Sequence, residues 1–461
     1  MRLRLHVAVV TTALALLAMT LPAAADHASR EMTKNIHALG HSEHIASFFG
    51  VDTAVRQISS DIAFWGDIAF HGNYDGFRVV DISAPGNPKL IHHQRCNGDQ
   101  GDVFVWENIL VRSWNSPAPA GRFCDGEPVP VGFEGLHIFD VSDLSDPDLI
   151  GSVTLDCGSH TTTGALDADN NRLIVYSNVS SGCVKGGVAL GNAIDVVGVP
   201  LDDPGSASVV NQVPIVGGSL GTNNGCHDAG LILGEVNLLA CASGHAANVF
   251  SVGAPNGGTL EEPVFLYNVE EQDDLGNKVG IGGRWHSAAF TWDGEVLVLG
   301  WEPGGGAAPR CRAQDADIFK SMFFYDADTG AKLGQWVLPR PQSEAENCTI
   351  HNYNIVPLKD GRYVAVGGHY QAGTWVTDFT DPANAETVAF ADPPPLPPVT
   401  TPGGMVVNEL GGSWSSYWYN RVIYESEITK GLNLYRLSDS VTAHAVKLDH
   451  LNPQTQEFSL P

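Results

Sequence analysis

The sequence carries little charge for a chain of 461 residues. Charged side chains make up 17% of it, and 52 acidic residues outnumber 25 basic ones, giving a formal net charge of −27. No run of basic residues occurs. We therefore expect no binding to nucleic acid or to an anionic membrane surface, whereas cations are favoured partners.

Several enzyme motifs are also missing. The chain has no HExxH, no Gly-Lys-Ser/Thr phosphate loop, no GxGxxG before a helix, no EF-hand loop and no CxxC. These absences argue against the common zinc proteases, nucleotide-binding enzymes, calcium sensors and thioredoxin-like redox proteins.

Long apolar runs are confined to the beginning of the chain. Arg2 and Arg4 precede an apolar run over residues 7–21, and small residues at 23–25 follow it. This pattern predicts a secretory signal peptide over residues 1–25. No later stretch is apolar enough to cross a bilayer, so the expected product is a secreted, extracellular protein without a membrane anchor.

Turn-forming residues, in contrast, are abundant, and one strand-turn pattern repeats. The chain contains 51 Gly and 27 Pro, and FRVVDISAPGNP at 77–88 resembles segments further along. The position after the Asp-like residue recurs at intervals of 52 to 70 residues, at Ile82, Val141, Val199, Val269, Ala327, Phe379 and Leu437. Seven units at this spacing predict an all-β fold, a seven-bladed β-propeller, over residues 26–461 as one domain.

Each unit predicts a four-stranded antiparallel blade. Asp-Gly turns at 293–294 and 360–361 connect two strands, and a Pro after the motif strand ends its ladder. The ring has two candidates for its closing strand, residues 35–41 and residues 445–451. We expect a monomer, because closure of the ring protects the sheet edges.

The chain has eight cysteines, an even number that suits disulfides in a secreted protein. Eight cysteines allow 105 pairings. Their places before first strands and after second strands predict four bridges at one end of the ring: Cys96–Cys124, Cys157–Cys183, Cys226–Cys241 and Cys311–Cys348.

Histidines recur at equivalent positions. Four consecutive units open their first strand with His160, His227, His286 and His351. First strands line the channel of a propeller, so these imidazoles predict a site for Cu, Zn or Fe, with Glu302 or Glu427 as a further ligand or acid/base group. The alternative interpretation is that the histidines line a water-filled channel through hydrogen bonds.

Two weaker patterns lie near the same channel mouth. Trp414, Tyr417 and Trp418, with His369, form a candidate ligand platform, although packing within a first strand is the more common role of such aromatic residues. Asp99 and Asp102, in NGDQGDV at the channel end of the second unit, are candidates for a further ligand, although a solvated turn is the simpler interpretation.

The strand cores FRVVDIS and LHIFDVS are similar to the LVIVD-repeat family of secreted bacterial β-propellers. GCHDAG at 225–230 and GGSWSSYWYN at 411–420 also resemble its members. The resemblance implies the fold but no particular reaction. The sequence thus supports two hypotheses: a metal-binding propeller, with or without metal-dependent catalysis, or a non-catalytic scaffold for a small-molecule, glycan, cell-wall or protein ligand.

Overall fold

A computed structural model describes residues 30–50, 57–180, 183–217, 225–244, 246–270 and 285–461. The predicted signal peptide lies outside these residues. The predicted all-β class is confirmed, since the described chain is built from antiparallel sheets. Its described helices are one α-helical turn, Asp439–Thr442, and four 3₁₀ turns: Ala168–Asn170, Pro204–Ser206, Asp317–Lys320 and Pro382–Asn384. None of them has the length and apolar composition needed to span a membrane.

The first three sheets follow one another along the chain, and each pairs four strands in order. Sheet 1 contains Ser59–Trp65, Ile68–Asn73, Gly76–Asp81 and Lys89–Arg95, and the short strand His450–Leu451 joins its first strand. Sheet 2 contains Val103–Trp106, Ile109–Trp114, Gly135–Asp140 and Asp148–Thr154. Sheet 3 contains Thr161–Asp167, Arg172–Asn178, Ala193–Pro200 and Ser208–Pro214.

The next two sheets repeat this arrangement. Sheet 4 contains Asp228–Ile232, Leu238–Ala242, Ala247–Ser251 and Val264–Val269, with Thr455–Gln456 added parallel to its first strand. Sheet 5 contains Trp285–Phe290, Val296–Trp301, Ser321–Asp326 and Lys332–Val337.

The last two sheets are joined into one nine-stranded sheet. Sheet 6 contains Asn352–Ile355, Val364–Gly368, Thr374–Asp378 and Glu386–Asp392, with Glu31–Met32 at its outer edge. Sheet 7 contains Ser413–Tyr419, Val422–Glu427, Gly431–Leu437 and Ile36–Glu43. The first strands of the two sheets pair in parallel, Asn352 with Ser415 and Tyr353 with Ser416.

Three small hairpins complete the described strands: Phe123–Cys124 with Glu127–Pro128, Cys183–Lys185 with Val188–Leu190, and Val399–Thr400 with Val406–Val407. The third of these lies in the proline-rich segment between sheets 6 and 7.

The fourth strand of sheet 7 comes from the N-terminal part of the chain. Ile36–Glu43 pairs antiparallel with Gly431–Leu437, whereas His450–Leu451 pairs with the first strand of sheet 1. The structure therefore selects the segment at 35–41 as the partner of the last motif strand.

The repeated motif has a local structural cause. Its Asp ends the third strand and accepts hydrogen bonds from the Ser or Thr that follows: Asp81 Oδ1 accepts from the backbone N (2.9 Å) and Oγ (2.6 Å) of Ser83. Asp378 makes the same two contacts with Thr380. These side-chain turns redirect the chain into the fourth strand. The ladder between third and fourth strands contains a bulge or irregularity in all seven sheets, at Val79/Val80, Ile138/Phe139, Val196/Val197, Val249/Phe250, Phe324/Tyr325, Val376/Thr377 and Ala38/Gly40.

Apolar side chains fill the space between neighbouring sheets. One cluster joins sheets 3 and 4 through residues such as Ile174 and Leu231, and another joins sheets 4 and 5 through Val249 and Phe323. Sheet 7 packs against sheet 1, where the rings of Tyr419 and Phe64 stack at 4.8 Å. The core is thus distributed in layers between the sheets, and first-strand residues such as Phe64 and Phe290 contribute to it.

Candidate functional site: a histidine-lined cavity

The cavity that contains the histidines has a volume of about 150 Å³. It is formed by side chains from several sheets and loops: Phe48, Tyr74, Gln100, His160, His227, His286, Glu302, Gly305, Gly306, Ala307, Asn347, His351, Tyr370, Leu410, Trp414 and Ile428. These lining residues include one carboxylate and no Lys or Arg. The cavity therefore suits a cation or a small neutral molecule better than an anion.

The structure brings the four histidines into one row. The ring centroids of His160 and His227 are 4.3 Å apart, those of His227 and His286 4.0 Å, and those of His286 and His351 4.3 Å. His286 is the second residue of its first strand, the other three histidines directly precede theirs, and all four residues are at most 8% exposed. Equivalent positions in consecutive sheets thus produce a continuous imidazole surface.

Glu302 is the carboxylate that approaches this row. It directly follows the strand Val296–Trp301 and is 3% exposed. Its Oε1 lies 4.0 Å from His286 Nε2 and 3.8 Å from His351 Nε2. Ligand atoms of His227, His286 and Glu302 all lie within 4.8 Å of one another, a spacing that one metal ion can bridge.

The hydroxyl of Tyr370 holds Glu302 in place by donating a 2.6 Å hydrogen bond to its Oε1. Tyr370 has a left-handed backbone (φ 53°), which is uncommon for a residue with a side chain. Two glycines press against it: a Cβ added to Gly306 would lie 2.2 Å from the Tyr370 hydroxyl, and one added to Gly412 would lie 2.2 Å from its backbone. Tyr370 is therefore fixed by a packed loop environment.

The hydrogen bonds of His351 define its tautomer. Its Nδ1 contacts the backbone carbonyl oxygen of Trp414, and because a carbonyl can only accept, Nδ1 carries the proton. Nε2 then presents its lone pair on the side of Glu302. A ring N–H donated to a backbone carbonyl is the usual way in which proteins orient a metal-binding imidazole.

His369 and Gln100 support the row from outside it. His369 Nδ1 accepts a 3.2 Å hydrogen bond from the backbone N–H of His351. Burial lowers the pKa of His369 to about 3, so its ring is neutral and can accept there. The amide nitrogen of Gln100 lies 3.2 Å from His160 Nε2 and donates to it.

Glu427, the other carboxylate predicted here, makes different contacts. Its Oε1 accepts from the backbone N of Gly412 at 3.0 Å, and its Oε2 from the backbone N of Thr429 at 2.9 Å. Burial raises its pKa to about 7. It is not among the residues that line the cavity, so its contacts stabilise the loop that begins sheet 7.

Of the residues predicted to form an aromatic platform, only Trp414 lines the cavity. Trp414 lines the cavity and is 9% exposed, with its ring 5.2 Å from that of His351. Tyr417 is buried and donates to Asp61 Oδ2 at 2.9 Å, and Trp418 is buried in the layer between sheets 6 and 7. His369 lies behind His351. Packing therefore accounts for Tyr417 and Trp418.

Sequence reasoning missed Tyr370 and the apolar wall of Phe48, Tyr74, Leu410 and Ile428. Tyr370 directly follows His369 in GGHYQ, so the sequence indicates the loop but not the side chain that contacts Glu302. Phe48 and Leu410 belong to loops without a repeat signal, and nothing in the sequence connects them to the channel.

The four predicted disulfides are confirmed: Cys96–Cys124, Cys157–Cys183, Cys226–Cys241 and Cys311–Cys348. Cys96, Cys124 and His137 also lie close enough together to hold a metal ion. Because the two sulfurs are joined in a disulfide, they are not thiolate ligands in this state. The histidine row is therefore the stronger metal candidate.

The fold and this site define an all-β repeat protein with a buried imidazole and carboxylate group. Residues 58–94 and 129–155 match the family model described as LVIVD repeat. These segments cover sheet 1 and the third and fourth strands of sheet 2. These two segments therefore carry LVIVD repeats, which confirms the resemblance seen in the motif strands. Among curated proteins, no significant match is found.

Proposed function

We propose that this chain is a secreted, seven-bladed LVIVD-repeat propeller that binds a transition metal ion, Cu, Zn or Fe, in its histidine-lined channel. The proposal assigns residues 26–461 to one domain, with sheets 1 to 7 as its four-stranded blades. The four disulfides favour an oxidising compartment, in which such bonds persist.

Packing between the first and last sheets supports a closed ring. Tyr419 of sheet 7 stacks on Phe64 of sheet 1, and Tyr417 of sheet 7 donates to Asp61 of sheet 1. Ile36–Glu43 completes sheet 7 although it precedes sheet 1 in the chain. An N-terminal strand paired with the last motif strand is a closure device typical of propellers.

The single observation that carries the metal assignment is the convergence of His227, His286 and Glu302 within 4.8 Å. Two imidazoles and a carboxylate form a ligand set common at catalytic zinc sites and suited to other transition metals. His351 lies close enough to serve as a fourth ligand or to replace one of the three, because its Nε2 lies 3.8 Å from Glu302 Oε1.

A metal ion bound by these side chains would supply Lewis acidity and would lower the pKa of a bound water. The protein would orient the ligands through Tyr370 and the Trp414 carbonyl, and would limit access through the apolar wall. The cavity of about 150 Å³ leaves room for a small reactant beside the ion. This arrangement supports metal-dependent catalysis on a small molecule.

Metal content is the direct test. We expect protein purified without chelator or an immobilised-metal column to contain about one transition metal ion per chain by mass spectrometry. The double variant His227→Ala, His286→Ala should lose it while remaining folded. His92→Gln, a histidine on the fourth strand of sheet 1, is the control and should keep it.

Two results would contradict the proposal. One is negligible metal in the wild type that stays negligible after incubation with Zn²⁺, Cu²⁺ or Fe²⁺. The other is equal metal content in the wild type and the double variant. Either result would mean that the four histidines line the channel without binding a metal ion.

A further inference from the structure

The lining of the histidine cavity is divided between an apolar opening and a polar floor. Five described lining residues are not fully buried, and we call them the rim: Phe48, Tyr74, Gly305, Ala307 and Leu410. None of these five carries a charge. The floor contains the buried histidine row and Glu302. A molecule that enters from solvent therefore passes apolar side chains before it meets a polar group.

The C-terminal segment covers the far end of the channel. Gly164, Leu231 and Phe290 each lie four residues after the histidine of their sheet. Thr455 pairs in parallel with Leu231 and donates from its Oγ1 to the carbonyl oxygen of Gly164 at 2.9 Å. Gln456 Nε2 donates to the carbonyl oxygen of Phe290 at 2.8 Å. This segment bridges the first strands of sheets 3, 4 and 5 beyond the histidines, which leaves the rim as the entrance to the cavity.

Two aspartates near the first strand of sheet 2 do not contribute to the cavity. Asp102 directly precedes this strand and is 2% exposed, and its Oδ2 accepts from the backbone N of Thr162 at 2.6 Å and from its Oγ1 at 2.9 Å. The expectation that Asp102 belongs to a solvated turn is therefore wrong. Asp99 Oδ1 accepts from the backbone N of Asn115 at 2.9 Å, and neither aspartate lines the cavity.

One buried carboxylate, Glu409, fixes the two loops that carry most of the apolar rim. Its Oε1 accepts from the backbone N of Phe48 at 3.0 Å, of Phe49 at 3.2 Å and of its neighbour Leu410 at 3.1 Å. Its Oε2 accepts from the hydroxyl of Ser47. Glu409 is 4% exposed and is not itself a lining residue. Its role is therefore to hold Phe48 and Leu410 at the entrance.

Apolar contacts continue from the rim to the histidine row. The rings of Tyr74 and Trp414 meet edge to face at 6.4 Å, and that of Trp414 lies 5.2 Å from that of His351. Ile428 and Trp414 belong to one buried cluster, and Phe48 and Tyr74 pack against it. A bound molecule therefore contacts hydrocarbon surface as well as imidazole.

Volume and charge limit which molecules fit. The cavity of about 150 Å³ has the size that accommodates a benzene ring. A polyol of this size would leave hydroxyl groups without partners against hydrocarbon, at a cost of roughly 1–3 kcal/mol for each group. An anion would meet the charge of Glu302 without a basic side chain among the described lining residues.

We propose that the histidine cavity binds a small neutral molecule with an apolar body of about the size of one six-membered ring and a single polar group, and that Glu409 is a positioning residue for its entrance. The inference rests on the proposed function in one respect, since the polar group would face the histidine row that holds the metal ion. The selection of a neutral, apolar body depends on the rim and the neighbouring apolar side chains alone.

The test measures binding of three probes to chelator-treated protein by isothermal titration calorimetry, so that no probe can bind through a metal ion. Phenol is a neutral ring with one hydroxyl, and benzamide and benzoate have the same shape but differ in charge. We expect phenol and benzamide to bind with a Kd of about 1 mM or tighter, and benzoate about tenfold or more weakly.

Variants of the rim locate the binding site. Leu410→Asp places a charge at the entrance and should weaken phenol binding about tenfold. Val131→Asp, at a position that is 73% exposed and outside the cavity lining, is the matched control and should leave it unchanged. Glu409→Ala should weaken phenol binding and reduce the preference for benzamide over benzoate. Glu409→Gln keeps an acceptor for the backbone N–H groups and should restore most of both.

The inference is overturned if phenol and benzamide do not bind, if benzoate binds as tightly as benzamide, or if Leu410→Asp binds phenol like the wild type. Wild-type behaviour of Glu409→Ala would contradict the role of Glu409. Phenol binding by a protein that never takes up metal would support this inference while contradicting the proposed function. Metal binding by a protein that takes neither neutral probe would do the reverse.

Discussion

The outer turns lie at the end of the sheets where the third strands finish, as at Asp81 and Asp378, and the channel mouth surrounds the histidine-lined cavity. Both regions belong to the same repeats, but their residues have different roles. At the outer turns one device recurs: the motif Asp ends a strand by accepting from a following Ser or Thr, as Asp81 and Asp378 do. At the channel mouth, the first strands of sheets 3 to 6 each begin next to a His, while in sheet 7 the parallel register with sheet 6 places Trp414 level with His351. The repetition thus preserves the scaffold, whereas the chemistry depends on the positions that vary between units.

The two regions also differ in how much change they should tolerate, and glycines give the largest contrast. Gly412, at the channel mouth, has φ 82°, and an added Cβ would lie 2.2 Å from the backbone of Tyr370. Gly66, in an outer turn, has φ 55°, and its added Cβ would meet nothing within 4 Å. We expect Gly412→Ala to lower the free energy of unfolding by about 3 kcal/mol or more, and Gly66→Ala by about 1 kcal/mol.

Urea denaturation of both variants measures this difference. Steric conflict with the Tyr370 backbone should also weaken metal binding in Gly412→Ala. Equal destabilisation by the two substitutions would show that the loop at 411–412 can move away, and that the channel mouth is less constrained than its packing indicates.

The next contrast concerns pH. Burial raises the pKa of Glu427 to about 7 from an ordinary value of 4.5. The folded state therefore binds more protons than the unfolded state between these values, so stability falls as pH rises through this window. A shift of this size corresponds to about 3 kcal/mol.

Glu427→Gln should remove this part of the pH dependence, because Gln resembles the protonated carboxyl. The measurement is the free energy of unfolding of wild type and variant at pH 4.5 and pH 7.5, with the difference in slope as the readout. Parallel curves for the two proteins would mean that folding does not raise the pKa of Glu427.

Two tyrosines allow a matched comparison of one hydrogen bond in each region. The hydroxyls of Tyr370 and Tyr363 each donate to a carboxylate at 2.6 Å, Tyr370 to Glu302 and Tyr363 to Asp293. Tyr370→Phe and Tyr363→Phe should each cost about 1 kcal/mol of folding stability. Under the proposed function, only Tyr370→Phe should weaken metal binding and shift its pH dependence upward, because Glu302 then lacks a donor that favours its ionised form.

Metal titrations at pH 6 and pH 8 with both variants separate these effects. The role assigned to Tyr370 would be contradicted if the Tyr363 variant lost as much metal affinity, or if neither variant changed it.

The sequence predicted the scaffold better than the site, for physical reasons that particular residues show. The strands and the disulfides follow from local patterns and from the position of each unit in the repeat, whereas the choice between segments 35–41 and 445–451 as partner of the last motif strand needed the structure. His160, His227, His286 and His351 meet because equivalent positions in neighbouring sheets are close in space. In a repeat protein, a contact between residues far apart in the chain can therefore be predicted from the sequence.

What the sequence did not predict depends on contacts between non-equivalent segments. Tyr370 reaches Glu302 only because its backbone adopts a left-handed conformation beside two glycines, and no local pattern signals this. Asp61 is held by Gln454 from the other end of the chain. Tyr417 and Trp418 follow the alternation of a strand whose two faces are both buried, so their pattern did not distinguish packing from exposure.

The smallest expected effect lies in the outer turns. Replacing Asp81 with Ala removes the acceptor for the backbone N and Oγ of Ser83, but both groups are accessible to water, which replaces much of the lost interaction. We expect a loss of about 0.5 kcal/mol in the free energy of unfolding, with metal content unchanged. Because the same turn recurs at Asp378, Asp378→Ala should cost a similar amount, and the two losses should be additive, since the sites share no partner. A loss in the double variant well above the sum, measured by urea denaturation, would show that the sheets transmit strain around the fold and that the outer turns are not independent of one another.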